Sequence, residues 1–295
     1  MKILVCGATG FVGRHLTLAL LNAGHQVVRG IRKPTQTEDI AVDFCKDTTK
    51  EDWLPKLVNI DVVINAVGVL RDTAEQPMQL LHEQTPIALF SACMESGVKR
   101  IVQISALGID QGIDTLYFQS RRAPEAYLNN LPEPIRTLIL RPAVIYGEDG
   151  ASAKIFRFQA GLPIHTLLGN GSQAMQPVHI DDICAAVIRW LADPNAYNLT
   201  VAAVGQDATD MRGMLNSYRQ QLRHAKAVHI SIPLCLVRQL AKVGDLIPAS
   251  PLCTDTLTML NAGSTADATQ FAELLGRLPK SYQDFIQSNN ANTSQ

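Results

Sequence analysis

Residues 3–13 read Ile-Leu-Val-Cys-Gly-Ala-Thr-Gly-Phe-Val-Gly, a short apolar run that breaks into three glycines spaced three apart. Ile3, Leu4 and Val5 predict a strand buried on both faces. Val12, Leu16, Ala19, Leu20 and Ala23 then recur at helical spacing until Gly24 stops the helix. A strand, a glycine turn and a helix start together aim free backbone N–H groups and the positive end of the helix dipole at an anion. Gly7 admits the tight turn, Gly10 lets a pyrophosphate approach the backbone, and Gly13 lets helix pack closely on strand. Thr9, Phe11, Val12 and Arg14 complete the predicted dinucleotide loop. A purely structural strand-to-helix turn is the competing reading, because the spacing is wider than G-x-G-x-x-G.

Further strands are expected at 27–31, 41–44, 62–66, 101–105 and 137–140, with helices at 11–23 and 80–96, Pro86 near a helix start or kink and Gly97 as a cap. Alternation of this kind predicts an α/β fold with a doubly wound parallel sheet. Asp181 is expected to cap a helix carrying Ile183, Val187, Trp190 and Leu191 on one face and stopped by Pro194. Beyond about residue 205 the alternation is lost, and 230–259 reads as packed amphipathic helices. We therefore expect a nucleotide-binding core at 1–150 and 176–204, and a smaller, mainly helical region that selects substrate at 151–175 and 205–295.

The 295 residues suffice for one large domain or two smaller ones, and a net charge of −1 gives no basic field for nucleic acid. Cys6, Cys45, Cys93, Cys184, Cys235 and Cys253 form no C-x-x-C pair, so they are read as reduced and buried, and no metal-ligand spacing occurs. Four apolar residues between Lys2 and Gly7 are too few for a signal-peptide core, and no run approaches the ~18 apolar residues of a spanning helix. A cytoplasmic protein with a frayed polar tail at 289–295 is expected.

The end of the second strand discriminates between nicotinamide cofactors, because an acid there accepts from a ribose 2′-hydroxyl and a cation favours a 2′-phosphate. Here the chain reads Val28-Arg29-Gly30-Ile31-Arg32-Lys33, without a carboxylate. Arg32, helped by Lys33 and Arg14, points to NADP(H) over NAD(H). Solvated surface charges are the alternative. Asp47 is a candidate acceptor for an adenine amino group, and Asn65-Ala66-Val67-Gly68 lets backbone pass close to the cofactor, unless both are turn chemistry.

Ser105 ends a predicted strand, Tyr117 follows twelve residues later, and Arg121 stands four further on, one helical turn away on the same face. In that order and spacing the chain resembles the short-chain dehydrogenase/reductase superfamily. The likeness runs through the glycine loop, Ser105-Ala106-Leu107-Gly108, 117–125, Leu140-Arg141-Pro142 with Tyr146-Gly147, and Pro177-Val178-His179-Ile180-Asp181-Asp182. It is similar to the extended or atypical branch, to epimerase/dehydratase-like and NmrA-like proteins and to the NADPH-binding accessory subunit of complex I. Ile247-Pro248-Ala249-Ser250-Pro251-Leu252 and 271–276 add to the last likeness.

The resemblance implies a Rossmann core and a tyrosine acid or base at Tyr117. It implies a serine at Ser105 that hydrogen-bonds the reacting oxygen, and a cation at Arg121 that favours phenolate. It also places Arg141 among the candidate cofactor contacts. Arg121 stands where the family has lysine, and a guanidinium is bulkier, planar and never deprotonated. Without the resemblance, Tyr117 reads as a surface aromatic, Ser105 as a strand-end cap, and Arg121 and Arg122 as a solvated pair near Glu125. His179 with Asp181 and Asp182 reads as a helix start with capping aspartates rather than a metal site or proton relay.

Three functions remain open. The first is an NADP(H)-dependent oxidoreductase or epimerase-like enzyme acting on an unidentified small molecule. The second is a non-catalytic NADP(H)-binding sensor or assembly protein with a protein partner or a homo-oligomeric state. The third is an NAD-dependent sugar-nucleotide epimerase.

Overall fold

A computed structural model describes residues 1–247, 250 and 252–286. The apolar run before the first glycine forms β1 (Lys2–Cys6), whose Ile3, Leu4, Val5 and Cys6 are fully buried. The chain continues through α1 (Phe11–Asn22), β2 (Gln26–Ile31), β3 (Ile40–Ala41), α2 (Lys50–Trp53), β4 (Val62–Asn65), α3 (Thr85–Ser96), β5 (Arg100–Ile104), α4 (Leu116–Asn129) and β6 (Arg136–Pro142). Next come β7 (Ile145–Tyr146), α5 (Ala151–Gly161), β8 (Ile164–Leu168), β9 (Ala174–Met175), β10 (Val178–His179), α6 (Ile180–Ala192) and β11 (Leu199–Ala203). The last elements are β12 (Thr209–Asp210), α7 (Met211–Gln221), β13 (Val228–Ile232), α8 (Leu234–Asp245), α9 (Thr254–Ala262) and α10 (Thr269–Leu275).

Two compact units result, one of Met1–Arg141 with Cys184–Val201, the other of Pro142–Ile183 with Ala202–Gln295. The seven-stranded sheet has the order β11-β6-β5-β4-β1-β2-β3, and the pairs from β6 to β3 are parallel. Strands buried on both faces need long apolar runs and helical crossovers, which is why the expected α/β, doubly wound architecture holds. On one face Leu4, Val63, Ile101 and Ile139 pack with Trp53, Leu89, Phe90 and Leu128. The order reverses at β1, where chain leads one way to β2 and the other way to β4, and in such sheets the crevice beyond the strand ends receives ligands. Register aligns Cys6 with Gly30 and with Asn65, so the glycine turn, the end of β2 and the Asn65 loop emerge along one edge.

In the second unit β8 and β13 run parallel from Val228 opposite Ile164 to Ile232 opposite Leu168. A separate core gathers Tyr146, Met175, Met214, Leu215, Tyr218 and Phe285.

Several local expectations are corrected. The third strand covers only Ile40–Ala41 and one more ladder bond from Val42 N–H to the Ile31 carbonyl. There Asp47 accepts the Asp43 N–H (2.8 Å) and Asp43 accepts the Cys45 N–H (3.0 Å), which bends the chain away and swings Phe44 against Trp53. Before α3 the expected helix opens as a π-helical turn at Leu80–Gln84, after which Pro86 sits in the first turn of α3, where its missing N–H is harmless. Gly97 caps α3 in the left-handed conformation at φ 80°. Strand–helix alternation persists past residue 205 in β12–α7 and β13–α8; β13 alternates Val228, Ile230 and Ile232 with His229 and Ser231 as a strand does, but it is short and runs almost directly into the apolar α8, which hides it. Helix α6 begins at Ile180, so Asp181 and Asp182 lie inside its first turn instead of capping it. Of the cysteines, Cys235 is exposed and Cys45 half-buried; the other four are buried, and all six are free thiols. The tail 289–295 and positions Pro248, Ala249 and Pro251 lie outside the described residues. No helix among the described residues is long and apolar enough to cross a membrane.

Candidate functional site

The glycine turn is shaped by the absence of side chains. Gly7 has φ 78°, and a β-carbon on it would lie 3.0 Å from the Ala66 carbonyl and from the Val67 nitrogen. At Gly13 a β-carbon would lie 2.1 Å from the Gly7 oxygen, a contact that nothing can relieve while α1 stays against β1. Gly10 N–H closes the turn onto the Gly7 carbonyl (2.9 Å), and Gly10 then precedes α1 with no side chain to cap its first N–H groups. Such a helix start offers unshielded donors and dipole to an anion. Thr9, Gly10 and Arg14 are exposed around it, Phe11 and Val12 half-buried, and Arg14 reaches back toward the Gly10 carbonyl. Gly7 and Gly13 are thus fixed by backbone contacts at the turn, and the unshielded N–H groups at the start of α1 are what a diphosphate would meet.

Just beyond β2, Arg32 and Lys33 are exposed, and neither forms an ion pair with a described residue. Arg29, which the sequence reading left unassigned, grips Asp39 through Nε (2.7 Å) and Nη2 (2.8 Å). Asp39 also accepts the N–H groups of Thr35 and Gln36 (2.7 and 2.8 Å), so the segment after Arg32 is pinned. The Arg29 guanidinium holds the Asp39 carboxyl well below the usual carboxylate range. Asp47 pairs with Lys56 Nζ at 2.5 Å and accepts the Asp43 N–H, which makes its present contacts turn chemistry. Asn65 is buried, donating to Gln103 Oε1 (2.9 Å) and accepting the Val67 N–H (3.1 Å), so it shapes the loop in which Ala66 N–H reaches the Cys6 carbonyl (3.0 Å).

Ser105 directly follows β5, its N–H bonded to the Leu140 carbonyl at 2.7 Å. Its Oγ is buried without a hydrogen-bond partner among the described residues. A buried hydroxyl left unpaired carries a desolvation penalty unless a ligand or water meets it. Tyr117, half-buried in the first turn of α4, lies beneath Arg121, whose guanidinium carbon is 3.8 Å from the ring centre. That is the face-sharing of positions four apart on a helix.

Arg121 is only 5% exposed and is no part of a solvated pair. Its Nη1 donates to the Tyr117 carbonyl (2.9 Å) and lies 2.7 Å from His82 Nδ1, while Nη2 lies 3.0 Å from His82 Nε2. Burial lowers the Arg121 pKa below that of a free guanidinium, with Tyr117 and Glu125 opposing. His82 Nε2 accepts the Val69 N–H (2.9 Å), and Nδ1 lies 3.0 Å from Ser120 Oγ. Burial first, and then the Arg121 charge, push the His82 pKa down to about 2, so the ring stays uncharged.

Gly68 completes this corner: a β-carbon on it would stand 3.0 Å from Arg121 Nη2, so the glycine makes room for the guanidinium. His82 and Ser120 were missed by sequence reasoning, since neither belongs to a motif and only the fold brings them to Arg121.

Arg122 turns the other way and donates to the carbonyls of Ile109 and Ile113 (3.0 and 3.2 Å). Arg141 is held between buried Glu125, at 2.6 Å, and Asp110, at 2.7 Å; its donors are thus committed to locking β6 against α4. In the second unit, Asp182 is fully buried and accepts from Arg277 (2.5 Å) and the Lys280 N–H (2.7 Å). His179 sits beside Asp181 (3.3 Å), stacked among Tyr146 and Phe285, and no metal-binding cluster occurs among the described residues.

A model of the NAD dependent epimerase/dehydratase family matches residues 3–201. The mitochondrial NADH dehydrogenase (ubiquinone) 1 alpha subcomplex subunit 9 of Mus musculus is 26% identical over 266 residues, covering 85% of this chain and 68% of the subunit. Its Arabidopsis thaliana counterpart is 30% identical over 202 residues, covering 64% of this chain and 50% of the subunit, so the chain spans half the length of that relative. Among solved structures, the human epimerase family protein SDR39U1 (isoform 2) with NADPH superposes with a TM-score of 0.76 at 20% identity, covering 99% of this chain and 100% of that one. The fold is of the NAD(P)-binding short-chain dehydrogenase/reductase type.

Proposed function

The chain belongs to the NAD-dependent epimerase/dehydratase family, and from that premise we propose that it is an NADP(H)-dependent oxidoreductase or epimerase-like enzyme acting on a small carbonyl or alcohol. When bound, the nicotinamide nucleotide supplies the hydride donor or acceptor. The backbone N–H groups around Gly10 and at the start of α1 would hold the diphosphate, and Arg32 with Lys33 would hold the 2′-phosphate, for which Arg32 offers a planar fork that forms no ion pair among the described residues. Ser105 Oγ donates to the substrate oxygen. Tyr117 Oη passes its proton to that oxygen, or takes it back in the reverse direction, with Arg121 as the fixed positive charge beside the ring. The carrying observation is this last contact, a buried guanidinium 3.8 Å from the Tyr117 ring centre, together with an orphaned serine hydroxyl elsewhere in the same unit.

Tyr117→Phe tests it. Turnover should fall by about 10²- to 10⁴-fold, the range of a lost general acid, while nucleotide affinity stays within about twofold. Equal turnover in that variant removes Tyr117 from the chemistry. For the cofactor, Arg32→Ala should weaken NADPH about 10- to 100-fold, as expected for charge-assisted hydrogen bonds, and leave NADH nearly unchanged. Tighter binding of NADH than of NADPH by the unmodified protein overturns the 2′-phosphate assignment.

A second reading is favoured by the Arg121 contacts themselves. With its nitrogens on His82 and the Tyr117 carbonyl, Arg121 has little left for the nicotinamide ribose that lysine serves in the family, which suits a protein that holds NADP(H) within an assembly. A nucleotide that survives purification and that no carbonyl or alcohol panel oxidises or reduces supports this reading; rapid exchange with turnover excludes it.

A further inference from the structure

Helix α8 turns its small residues inward. Val237, Ala241 and Gly244 are buried, in a cluster with Leu257 of α9 and with Leu168, Ile232 and Leu252. At Gly244 a β-carbon would stand 1.9 Å from the Leu252 carbonyl oxygen, so the helix is locked against rolling. Its bulky residues consequently face out: Leu236, Leu240 and Val243, continued just past the helix end by Ile247, fall at helical spacing along one stripe and are 55, 55, 56 and 52% exposed.

The stripe has an apolar neighbour. Leu168 and Ile232 pack beneath α8, and strand alternation puts Ile164 on the face of Leu168, and Val228 and Ile230 on the face of Ile232. All three are exposed, at 46, 63 and 48%. Along this stretch of the chain the charge is mostly positive. From Met211 to Ile247 the sequence carries six Lys and Arg against a single acid, Asp245, in a chain of net charge −1. Asp245 is engaged at the start of α9 by the Thr254 N–H (2.9 Å) and hydroxyl (2.5 Å), whereas Arg223, Lys226, Arg238 and Lys242 are exposed.

A broad aliphatic face without Trp, Tyr or Met lacks the anchors of a protein hot spot, and a surrounding of cations complements an anionic plane. We propose that this face of the second unit docks on an anionic phospholipid bilayer, with the α8 stripe entering the interfacial layer and Arg223, Lys226, Arg238 and Lys242 meeting headgroup phosphates. Aliphatic residues on one side of an amphipathic helix and basic residues on the other are the arrangement of an interfacial helix, and long basic side chains reach the headgroups from its flank. This inference is independent of the nucleotide assignment.

The full chain, sedimented with vesicles of phosphatidylcholine alone or with about one-quarter phosphatidylglycerol, tests it. Binding is expected only to the anionic vesicles and should weaken as salt rises. The double variants Leu236→Glu with Leu240→Glu and Arg238→Glu with Lys242→Glu alter only exposed positions; each should lower partitioning about tenfold or more while keeping the wild-type melting midpoint. No sedimentation with anionic vesicles, or equal sedimentation with neutral ones, overturns the proposal. So does a concentration-dependent dimer in the ultracentrifuge that Leu240→Glu abolishes in a protein that ignores vesicles, because the face is then covered by a second copy.

Discussion

At Gly7, Gly10 and Gly13 the candidate site is made of backbone, whereas at Tyr117 and Arg121 it is made of side chains stacked on one another. The first end excludes every β-carbon at Gly13 and presents backbone N–H groups that only a proline would remove. Donors of this kind would recognise negative charge and little else. The second end depends on which cation occupies position 121 and on what holds it there, here the His82 ring and a glycine at 68. On the proposed reading, nucleotide binding rests on geometry that tolerates almost no change, while the reaction rests on contacts that a single replacement rearranges. A family that keeps one cofactor fold and varies its chemistry is the expected product of that asymmetry.

The largest expected effect lies at the backbone end. Gly13→Ala places a methyl 2.1 Å from the Gly7 oxygen, so α1 must withdraw from the turn. Stability should fall by roughly 1–3 kcal/mol, as for other overpacked sites, and the nucleotide-induced rise in melting temperature should disappear. By contrast, Tyr117→Phe should keep that thermal shift and lose turnover. If Gly13→Ala retains full nucleotide affinity, the two ends do not differ in the way described, and the turn is merely structural.

A smaller effect reports on the side-chain end. The neutral His82 of the folded protein, with its pKa at about 2, faces an ordinary value of 6.5 in the unfolded chain. Below 6.5 the unfolded state binds the extra proton, so the contribution of His82 to stability is complete above that pH and is lost as the pH falls toward 2. The slope from this one group approaches about 1.4 kcal/mol per pH unit. His82→Gln, which keeps an acceptor for Val69, should flatten the urea midpoint against pH between 6 and 3 relative to the unmodified protein. An unchanged slope means that His82 is solvated, and then Arg121 is free to serve a ribose.

The same division governs what the sequence could reveal. The glycine turn was legible because its shape comes from the glycines themselves, and the parallel sheet because strands buried on both faces are written as apolar runs. Tyr117 above Arg121 was legible because four residues make a helical turn. His82 was not, for its role arises from a π-helical turn at Leu80–Gln84 that no local pattern announces. Nor was the commitment of Arg141 to Glu125 and Asp110, since partners 16 and 31 residues away are chosen by packing. Strand β13 carries a strand's alternation, Val228-His229-Ile230-Ser231-Ile232, but it is only five residues long and runs almost directly into the apolar residues of α8, so the two blend into one apolar stretch.

The smallest effect distinguishes two arginines at the backbone end. Asp39→Asn breaks the paired grip on Arg29 and loosens the segment after Arg32, while leaving Arg32 itself intact. If Arg32 is the phosphate ligand, NADPH affinity should fall only about two- to fivefold, the scale of a surface ion pair, and NADH affinity should not move. Because Arg29 holds the Asp39 carboxyl far below its ordinary range, that difference should be constant from pH 5 to 8. A gain in NADPH affinity would mean the reverse assignment: Arg29, once released from Asp39, would be the residue that grips the 2′-phosphate, and the exposed Arg32 would be a solvated charge.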